Sequence, residues 1–283
     1  MKKYTLIISF LIAIFSLSFN TVLAQNDTVY VMKNGSVIWK YKVAEIDSVI
    51  FYQPVVVGDN DSTGTFIDSR DNTIYRWLKI GNQVWMAENL KYLPSVVTPG
   101  TGSRTVPYYY VYGYDGTNVT AAKATTNYAT YGVLYNWTAA MNGAESSNSN
   151  PSAVQGVCPS GWHLPSDVEW KQLEMSVGMT EDQANSSGWR GTNEGGKLKE
   201  VGTAHWTDPN EGATDEFGFT ALPAGYRHNY GYCINIGYHG RWWSATDKDE
   251  VNSWARNLEH NNSQVFRFYY DKELGFPVRC VKD

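Results

Sequence analysis

The sequence has few charged residues and no run of basic ones. Aspartate, glutamate, lysine and arginine make up 18% of the 283 residues, and the formal net charge is −5. A nucleic-acid-binding protein needs clustered lysines and arginines that neutralise phosphates. The composition therefore excludes nucleic acid from the partners that we expect.

The sequence also lacks the common zinc-binding and catalytic motifs. None of the five histidines lies in an H-E-x-x-H arrangement, and no G-x-S-x-G nucleophile elbow occurs. His163, which follows Trp162 in an apparent strand, is typical of a hydrogen-bonded core histidine. We therefore predict that the protein is not an enzyme.

Long apolar runs are absent after the N-terminus. Lys2 and Lys3 precede an apolar stretch at 6–19, and Val22-Leu23-Ala24 offers compact residues for cleavage. The stretch is shorter than the roughly 20 residues that span a bilayer. We predict a signal peptide at 1–24 and an exported protein, found extracellularly, at the cell surface or in the periplasm. An uncleaved membrane anchor is the alternative.

Cysteine is scarce, with three residues in the chain: Cys158, Cys233 and Cys280. In an exported protein, two cysteines are expected to form a disulfide and the third to stay free. Three buried thiols are the alternative that the count leaves open.

Aromatic residues, in contrast, are abundant. They make up 14% of the chain, with 11 tryptophans and 20 tyrosines. Such side chains bury large areas in cores, and surplus ones supply binding surfaces. Composition alone does not separate these two uses.

The first part of the mature chain, residues 25–57, is predicted to be a small β leader. Three β-rich runs lie there, the first two around the tight-turn signal Asn34-Gly35: 29–32, 37–41 and 49–52. The polar, glycine-bearing segment 58–65 is typical of a linker.

Residues 66–283 have the pattern of one α+β domain. Gly81-Asn82 separates two strands of a second hairpin, and a short helix is predicted at 134–141. Ser166 and Glu169 form a capping-box pattern that predicts a helix ending at Gly178. Residues 95–130 show no helical periodicity and are predicted to be a long surface excursion. Four strands are predicted near the C-terminus: 242–245, 253–256, 265–269 and 276–281.

Seven sequence words occur in a fixed order along this domain: KIGNQVWMAENL (79–90), YGVLYNWTAAM (131–141), CPSGWHLPSDVEW (158–170), GGKLKE (195–200), FGFTALPAGYR (217–227), RWWSATD (241–247) and GFPVRCV (275–281). Together they closely resemble the Fibrobacter succinogenes major paralogous domain family. More distantly, HLPSDVEW, RWWSATD and GFPVRCV are similar to formylglycine-generating enzymes and other C-type-lectin-like proteins. The β leader resembles one found in exported Bacteroidetes proteins.

The resemblance implies a C-type-lectin-like fold. In such a fold the two ends of the domain meet in one of several mostly antiparallel sheets, and two short helices pack against it. The resemblance also implies that Cys158 pairs with Cys280. Formylglycine-generating enzymes work through a cysteine pair near the C-terminus, where Cys233 stands alone here, so their activity is not carried over.

We interpret the residues within these words as structural rather than ligand-binding. Residues 225–227 and 242–243 are expected to fill the space between sheet and helices. Arg227 or Arg279 is expected to pair with a buried carboxylate such as Glu169.

The stretch between two of these words is rich in tyrosine, asparagine, glycine and histidine. Such residues form adaptable recognition surfaces at low entropic cost. The predicted ligand-binding residues are His228, Tyr230, Tyr232, Tyr238 and His239. No cofactor is expected, although calcium remains a weak candidate because one loop offers three side-chain oxygen donors: Asp208, Asn210 and Glu211.

These features predict an exported binding or adhesion domain that recognises a protein or glycan through tyrosine-rich loops. A structural component of the cell envelope or of a surface assembly is the alternative. An enzyme of the formylglycine-generating type is a third, less favoured reading.

Overall fold

The computed structural model describes residues 28–33, 36–42 and 62–283. The chain divides into two compact units, Met1–Val56 and Val57–Asp283. The segments predicted as a signal peptide (1–24), as the first turn and as a third β-rich run (49–52) lie outside the described residues.

The first unit contains an antiparallel hairpin of two strands, β1 (Thr28–Lys33) and β2 (Ser36–Lys42). These are the two strands predicted on either side of Asn34-Gly35.

The second unit consists of short strands and short helices. Its strands are β3 (Thr63–Asp68), β4 (Thr73–Ile80), β5 (Gln83–Met86), β6 (Tyr109–Tyr110), β7 (Leu134–Tyr135), β8 (Trp162–His163), β9 (Gly188–Arg190), β10 (Ala224–His228), β11 (Tyr232–Ile236), β12 (His239–Asp247), β13 (Asn252–Glu259), β14 (Val265–Asp271) and β15 (Val281–Lys282). Its helices are α1 (Val119–Lys123), α2 (Thr126–Tyr131), α3 (Trp137–Met141), α4 (Asp167–Ser176), α5 (Glu181–Asn185) and α6 (Glu194–Leu198). Among the described residues, no helix is long and apolar enough to cross a membrane.

Two sheets form the frame of this unit. One has the strand order β3-β4-β5-β15-β8 and the other β12-β13-β14-β9, and the paired strands run antiparallel. Because β3 and β15 share the first sheet, the two ends of the domain meet as expected. The fold is therefore mixed α and β, with mostly antiparallel sheets.

The helix predicted from the capping box is present as α4. The Ser166 hydroxyl accepts a hydrogen bond from the Glu169 amide at 3.1 Å, and the Glu169 carboxylate accepts one from the Ser166 amide at 2.9 Å. These bonds satisfy two of the backbone groups that a helix start leaves free. Trp170 and Leu173 lie on the buried face of the helix.

Four tryptophan and phenylalanine rings form the centre of one core between α4 and the two sheets. The Trp170 ring lies 4.7 Å from that of Trp85 on β5 and 6.3 Å from that of Trp242 on β12. Phe219 packs edge-on against Trp85 and Trp170. These four residues of the words are therefore structural, as interpreted from the sequence.

Two carboxylates of α4 hold a network of buried arginines. Asp167 accepts two bonds from Arg267, at 2.8 and 2.7 Å, and one from Arg256 at 2.8 Å. Glu174 accepts bonds from Arg190, at 2.7 and 2.5 Å, and one from Arg256 at 2.5 Å. Burial raises the pKa of Asp167, but the two arginine charges lower it by more, so it stays ionised.

The disulfide between Cys158 and Cys280 is present, which confirms the expected pairing. It joins the segment before β8 to the segment before β15, so it ties together neighbouring strands of the five-stranded sheet. Cys233 is the free cysteine.

The expected partner of Glu169 was wrong. Its carboxylate caps its own helix and bonds His163 Nε2 at 2.7 Å. Arg227 instead donates to the Pro99 carbonyl at 2.8 Å and lies 3.4 Å from a Glu273 oxygen. One carboxylate oxygen of Glu169 is thus bonded to the Ser166 amide and the other to His163, so neither is left for an arginine.

Several predicted boundaries differ from the structure. Residues 95–130 contain α1 and α2, which are each too short to show helical periodicity, so their only sequence signal is the cap residue: Asn118 or Thr125. There are therefore six short helices among the described residues rather than two. Within 134–141, the first two residues form β7 and the helix begins at Trp137. The strand expected at 276–281 is limited to β15, and β3 begins at Thr63, within the segment interpreted as linker.

Replacing both disulfide cysteines, Cys158→Ala with Cys280→Ala, is expected to lower the free energy of unfolding by about 4–5 kcal/mol. The bond closes a loop with a sequence separation of 122 residues and restricts the unfolded chain accordingly. Urea unfolding measures the change. Cys233→Ala is the control, and a loss of the same size in that variant would contradict the assignment.

Glu174→Gln is expected to lower the free energy of unfolding by about 3 kcal/mol or more, because it leaves the buried charge of Arg190 without a carboxylate and that of Arg256 with Asp167 alone. Glu181→Gln removes the same charge from the exposed start of α5 and is expected to change little. Equal stabilities of the two variants in urea would show that the network contributes nothing.

Candidate functional site

The hairpin of β10 and β11 carries three of the five predicted ligand-binding residues. His228 and Tyr232 pair across the hairpin, and their rings stack at 5.6 Å. The Tyr230 ring lies 4.5 Å from His228. Gly231 has a φ of 89°, which glycine adopts without strain and which lets the chain reverse here. Tyr230 is 78% exposed and Tyr232 is 48% exposed, so the hairpin presents its rings to solvent.

His239 joins this group and Tyr238 faces a different neighbour. The His239 ring lies 6.4 Å from that of Tyr226, which in turn lies 6.0 Å from His228. The Tyr238 ring packs edge-on against His260 at 5.0 Å. The structure therefore connects four of the five predicted residues through Tyr226.

Arg241 on β12 extends this group of rings toward β14, and the sequence did not indicate that it would. Its guanidinium lies 4.0 Å from the Tyr226 ring centre and 4.7 Å from that of Tyr270. A cation between two aromatic faces is held by the ring quadrupoles. Arg241 thus links the hairpin to the aromatic residues of β14.

Three further aromatic residues follow along the outer part of the four-stranded sheet. The ring of Phe268 lies 6.1 Å from that of Tyr270 and 5.7 Å from that of Phe266. Phe266 pairs with Trp189 of β9, and their rings are 4.9 Å apart. Because side chains alternate along a strand, residues 266, 268 and 270 share one face of the sheet.

An unbroken series of ring and cation contacts therefore runs from the hairpin tip to β9. We call it the aromatic surface, and its residues are Trp189, Tyr226, His228, Tyr230, Tyr232, His239, Arg241, Phe266, Phe268 and Tyr270. Tyr226 and Arg241 are buried, at 7% and 8% exposed, so the rings that meet solvent lie toward the two ends, at Tyr230 and Tyr232 and at Trp189 and Phe268. The alternation in the segment VFRFYY was the available signal for its β14 part. The sequence did not reveal which of the two alternating sets faces outward.

Polar groups line one side of the aromatic surface. Asn257 accepts hydrogen bonds through its side-chain oxygen from Arg241 at 3.4 Å and lies 3.3 Å from His239 Nδ1. Its amide donates to Glu259 at 2.8 Å. Burial raises the pKa of Glu259, but His239, the bond from Asn257 and the charge of Arg241 together lower it by more. The surface thus offers rings beside one cation and one carboxylate.

His228 has a lowered pKa, mainly because of burial and further because of the charges of Arg241 and Arg227. The imidazole is therefore neutral at pH 7 and stacks as an uncharged ring. The arrangement suits the binding of a partner by stacking and hydrogen bonding.

Two groups of the weak calcium candidate already have partners within the protein. The Asn210 amide donates to the carbonyls of Glu200 and Gly202, at 2.8 and 2.6 Å, and the Asp208 carbonyl lies 3.1 Å from His260 Nδ1. Among the described residues, no three histidine, cysteine, aspartate or glutamate side chains lie close enough together to hold a metal ion.

An ammonium group binds the backbone of that loop. Lys199 Nζ donates to the carbonyls of Glu211, Glu259 and Asn262 at 2.8, 2.9 and 3.0 Å. Burial lowers the pKa of Lys199 to about 8. One carbonyl of the candidate loop is therefore already bound by a cation of the protein.

Two further residues of types that can carry chemistry are Cys233 and His163. Burial raises the pKa of the Cys233 thiol to about 11, so little thiolate forms at neutral pH. His163 lies 2.7 Å from both Glu169 and Asp283, at the wall of an open cleft of about 370 Å³. It is a hydrogen-bonded core histidine, as its position in the sequence indicated.

A family model, the Fibrobacter succinogenes major domain, matches residues 78–282. The chain belongs to this family. The match includes the entire aromatic surface, the disulfide and the buried network of this Fibrobacter succinogenes major domain. No curated protein and no solved structure matches the chain.

The stability of this Fibrobacter succinogenes major domain is expected to fall as the pH rises from about 6 to about 8, in part because His163 loses its proton. Burial lowers the pKa of His163, but Glu169 and Asp283 raise it by more, so the folded pKa exceeds 6.5. The contribution is complete below the unfolded pKa and is lost as the pH passes the folded one.

Urea unfolding of the wild type and of His163→Gln at both pH values tests this expectation. The variant should lose less stability than the wild type between the two pH values, whereas His260→Gln should behave as the wild type. Identical pH dependence in the wild type and His163→Gln would rule out the role of His163.

Proposed function

We propose that the chain is an exported, non-catalytic binding domain that recognises a protein or glycan partner through its aromatic surface. The observation that carries the proposal is the continuous set of rings from Tyr230 to Trp189, several of which are exposed to solvent. Large apolar patches rimmed by polar groups are typical of interaction sites.

The kind of residue present supports recognition. Tyrosine and tryptophan give a large contact area with only two rotatable side-chain bonds, so binding costs little conformational entropy. The buried Arg241 holds the rings of Tyr226 and Tyr270 in place, and the half-buried Glu259 lies beside them, so the surface is preorganised before a partner binds.

A C-type-lectin-like fold forms part of this proposal. Three features support it: both ends of the domain lie in one sheet, the capped helix packs between two sheets, and a hairpin projects from the body. In such an arrangement, loops vary while the frame is kept.

The contacts of the cysteines support a non-catalytic role over that of a formylglycine-generating enzyme. Those enzymes resemble this chain in several words and use a pair of cysteines. Here Cys280 is joined to Cys158 and Cys233 is a partly buried, protonated thiol. Export rests on the N-terminal signal pattern of lysines and a short apolar run.

Removing the two most exposed rings of the hairpin, Tyr230→Ala with Tyr232→Ala, is expected to weaken binding to whole cells or to matrix glycans by about tenfold, because exposed tyrosines are frequent hot spots. The measurement is the retention of the purified protein on these surfaces. The control is Ile67→Ala with Ile74→Ala, a cross-strand pair that is 63% and 61% exposed on the other sheet.

Equal retention of the tyrosine variant and the wild type would contradict the proposal. If the tyrosine variant instead loses self-association in size-exclusion chromatography, the surface joins copies of the chain. The structural-component alternative would then replace the proposal.

A further inference from the structure

A cleft of about 370 Å³ shares no residue with the aromatic surface. It lies between β4, the segment after β5, α2 and the loops around residues 200–205 and 220. Its charged lining residues are Arg76, Glu88, Lys91, Glu200, His205 and Arg279. Its volume is within the range of small-molecule sites.

Arg279 is the most buried of these residues, with 1% of its surface exposed. Its guanidinium donates to Asn89 Oδ1 at 3.1 Å and to the carbonyls of Phe219 and Thr220. A guanidinium has five N–H groups, so two of them have no acceptor among the described residues. It stacks on Phe219, whose ring centre is 4.1 Å away.

Arg279 also has no direct ion pair. Within the described part of the chain, no carboxylate lies within 4.0 Å of it, and those of Asp215 and Glu88 act on its charge only from a longer distance. The buried Arg256, in contrast, pairs with two carboxylates and Arg227 with one. An uncompensated buried charge is costly, and an anion that binds beside it recovers that cost.

The walls of the cleft leave one positive charge in excess. Glu88 pairs with Arg76 at 3.0 Å and with Lys91 at 3.7 Å. Glu200 lies 2.9 Å from His205. Burial lowers the pKa of Arg279 to about 9, so it is charged at neutral pH, and three cations therefore face two carboxylates among the lining residues of a chain whose overall charge is −5.

We propose that this cleft binds a small hydroxylated organic acid. Its carboxylate lies toward Arg279 and Lys91, because a planar guanidinium matches a carboxylate and the single excess charge matches a monoanion. Its hydroxyl groups donate to Glu88 or Glu200, which line the walls. A dianion such as phosphate would bring more negative charge than the cleft compensates.

Isothermal titration calorimetry of the purified protein with sodium glucuronate tests the proposal, with glucose as the neutral analogue and inorganic phosphate as the other anion. Glucuronate is expected to bind measurably and the other two at least tenfold more weakly. Arg279→Gln is expected to abolish binding. Since this buried change affects folding as well, a surface variant decides the question.

Ala129 lies on α2, is exposed and lines the cleft. Ala129→Glu is expected to raise the Kd for glucuronate about threefold or more at low salt, by charge repulsion. Ala121→Glu makes the same change on the exposed side of α1, away from the cleft lining, and should leave the Kd unchanged.

Three results would overturn the proposal. The first is no binding of glucuronate by the folded wild type. The second is equal binding of glucuronate and glucose, which removes the role of the charge. The third is binding of phosphate as tight as that of glucuronate, which contradicts a site for a monoanionic carboxylate.

Discussion

The ion pairs between α4 and the four-stranded sheet are the contact on which the rest of the domain depends. Asp167 and Glu174 are seven residues apart, so two helical turns bring them to the same face. That face meets arginines from three different strands, β9, β13 and β14. Because these charges are buried, the loss of one partner leaves another without compensation, and the strands are held in one register relative to the helix. The cost of burying the charges makes other arrangements of these strands unfavourable.

This register also determines the aromatic surface. Side chains alternate along a strand, so each arginine that points to α4 has neighbours that point to the opposite face. Trp189 is next to Arg190, and Phe266 and Phe268 lie on either side of Arg267. The buried network and the exposed rings are therefore two faces of the same strands. At the other end, the hairpin is held close to its tip, where the amide and carbonyl of Arg227 bond those of Gly275 at 3.0 and 2.9 Å. A fixed backbone beside the exposed rings reduces the entropy lost on binding.

The parts of the structure that the sequence predicted correctly are those with a local chemical signal. The capping box at Ser166 and the turn at Gly81-Asn82 each involve only a few neighbouring residues. The disulfide was predicted from the resemblance of the words around Cys158 and Cys280 to a known family. The hairpin rings were found because tyrosine, glycine and histidine are clustered in the chain.

Arg241 and the β14 rings were missed because their position depends on which face of a distant sheet is covered. The partner expected for Glu169 was wrong for a related reason: the competing acceptor role in its own helix cap was not weighed against a pairing across the fold.

Buried cations in this domain have two kinds of partner, and the difference relates to function. Cations that meet carboxylates, such as Arg256, build the frame and have their charge compensated within it. Cations that meet backbone carbonyls, such as Lys199 and Arg279, anchor loops and keep their charge. A carbonyl satisfies a hydrogen bond but not a full positive charge. A charged ligand therefore gains most from binding beside a cation that meets only carbonyls. Arg279 is such a cation, and it lines a cleft that is large enough for a ligand.

Arg241 is a third case, since the neighbours of its guanidinium are aromatic rings. At Arg279, no carboxylate of the described residues forms a direct ion pair, and this is a physical reason to expect an anion to bind in that cleft.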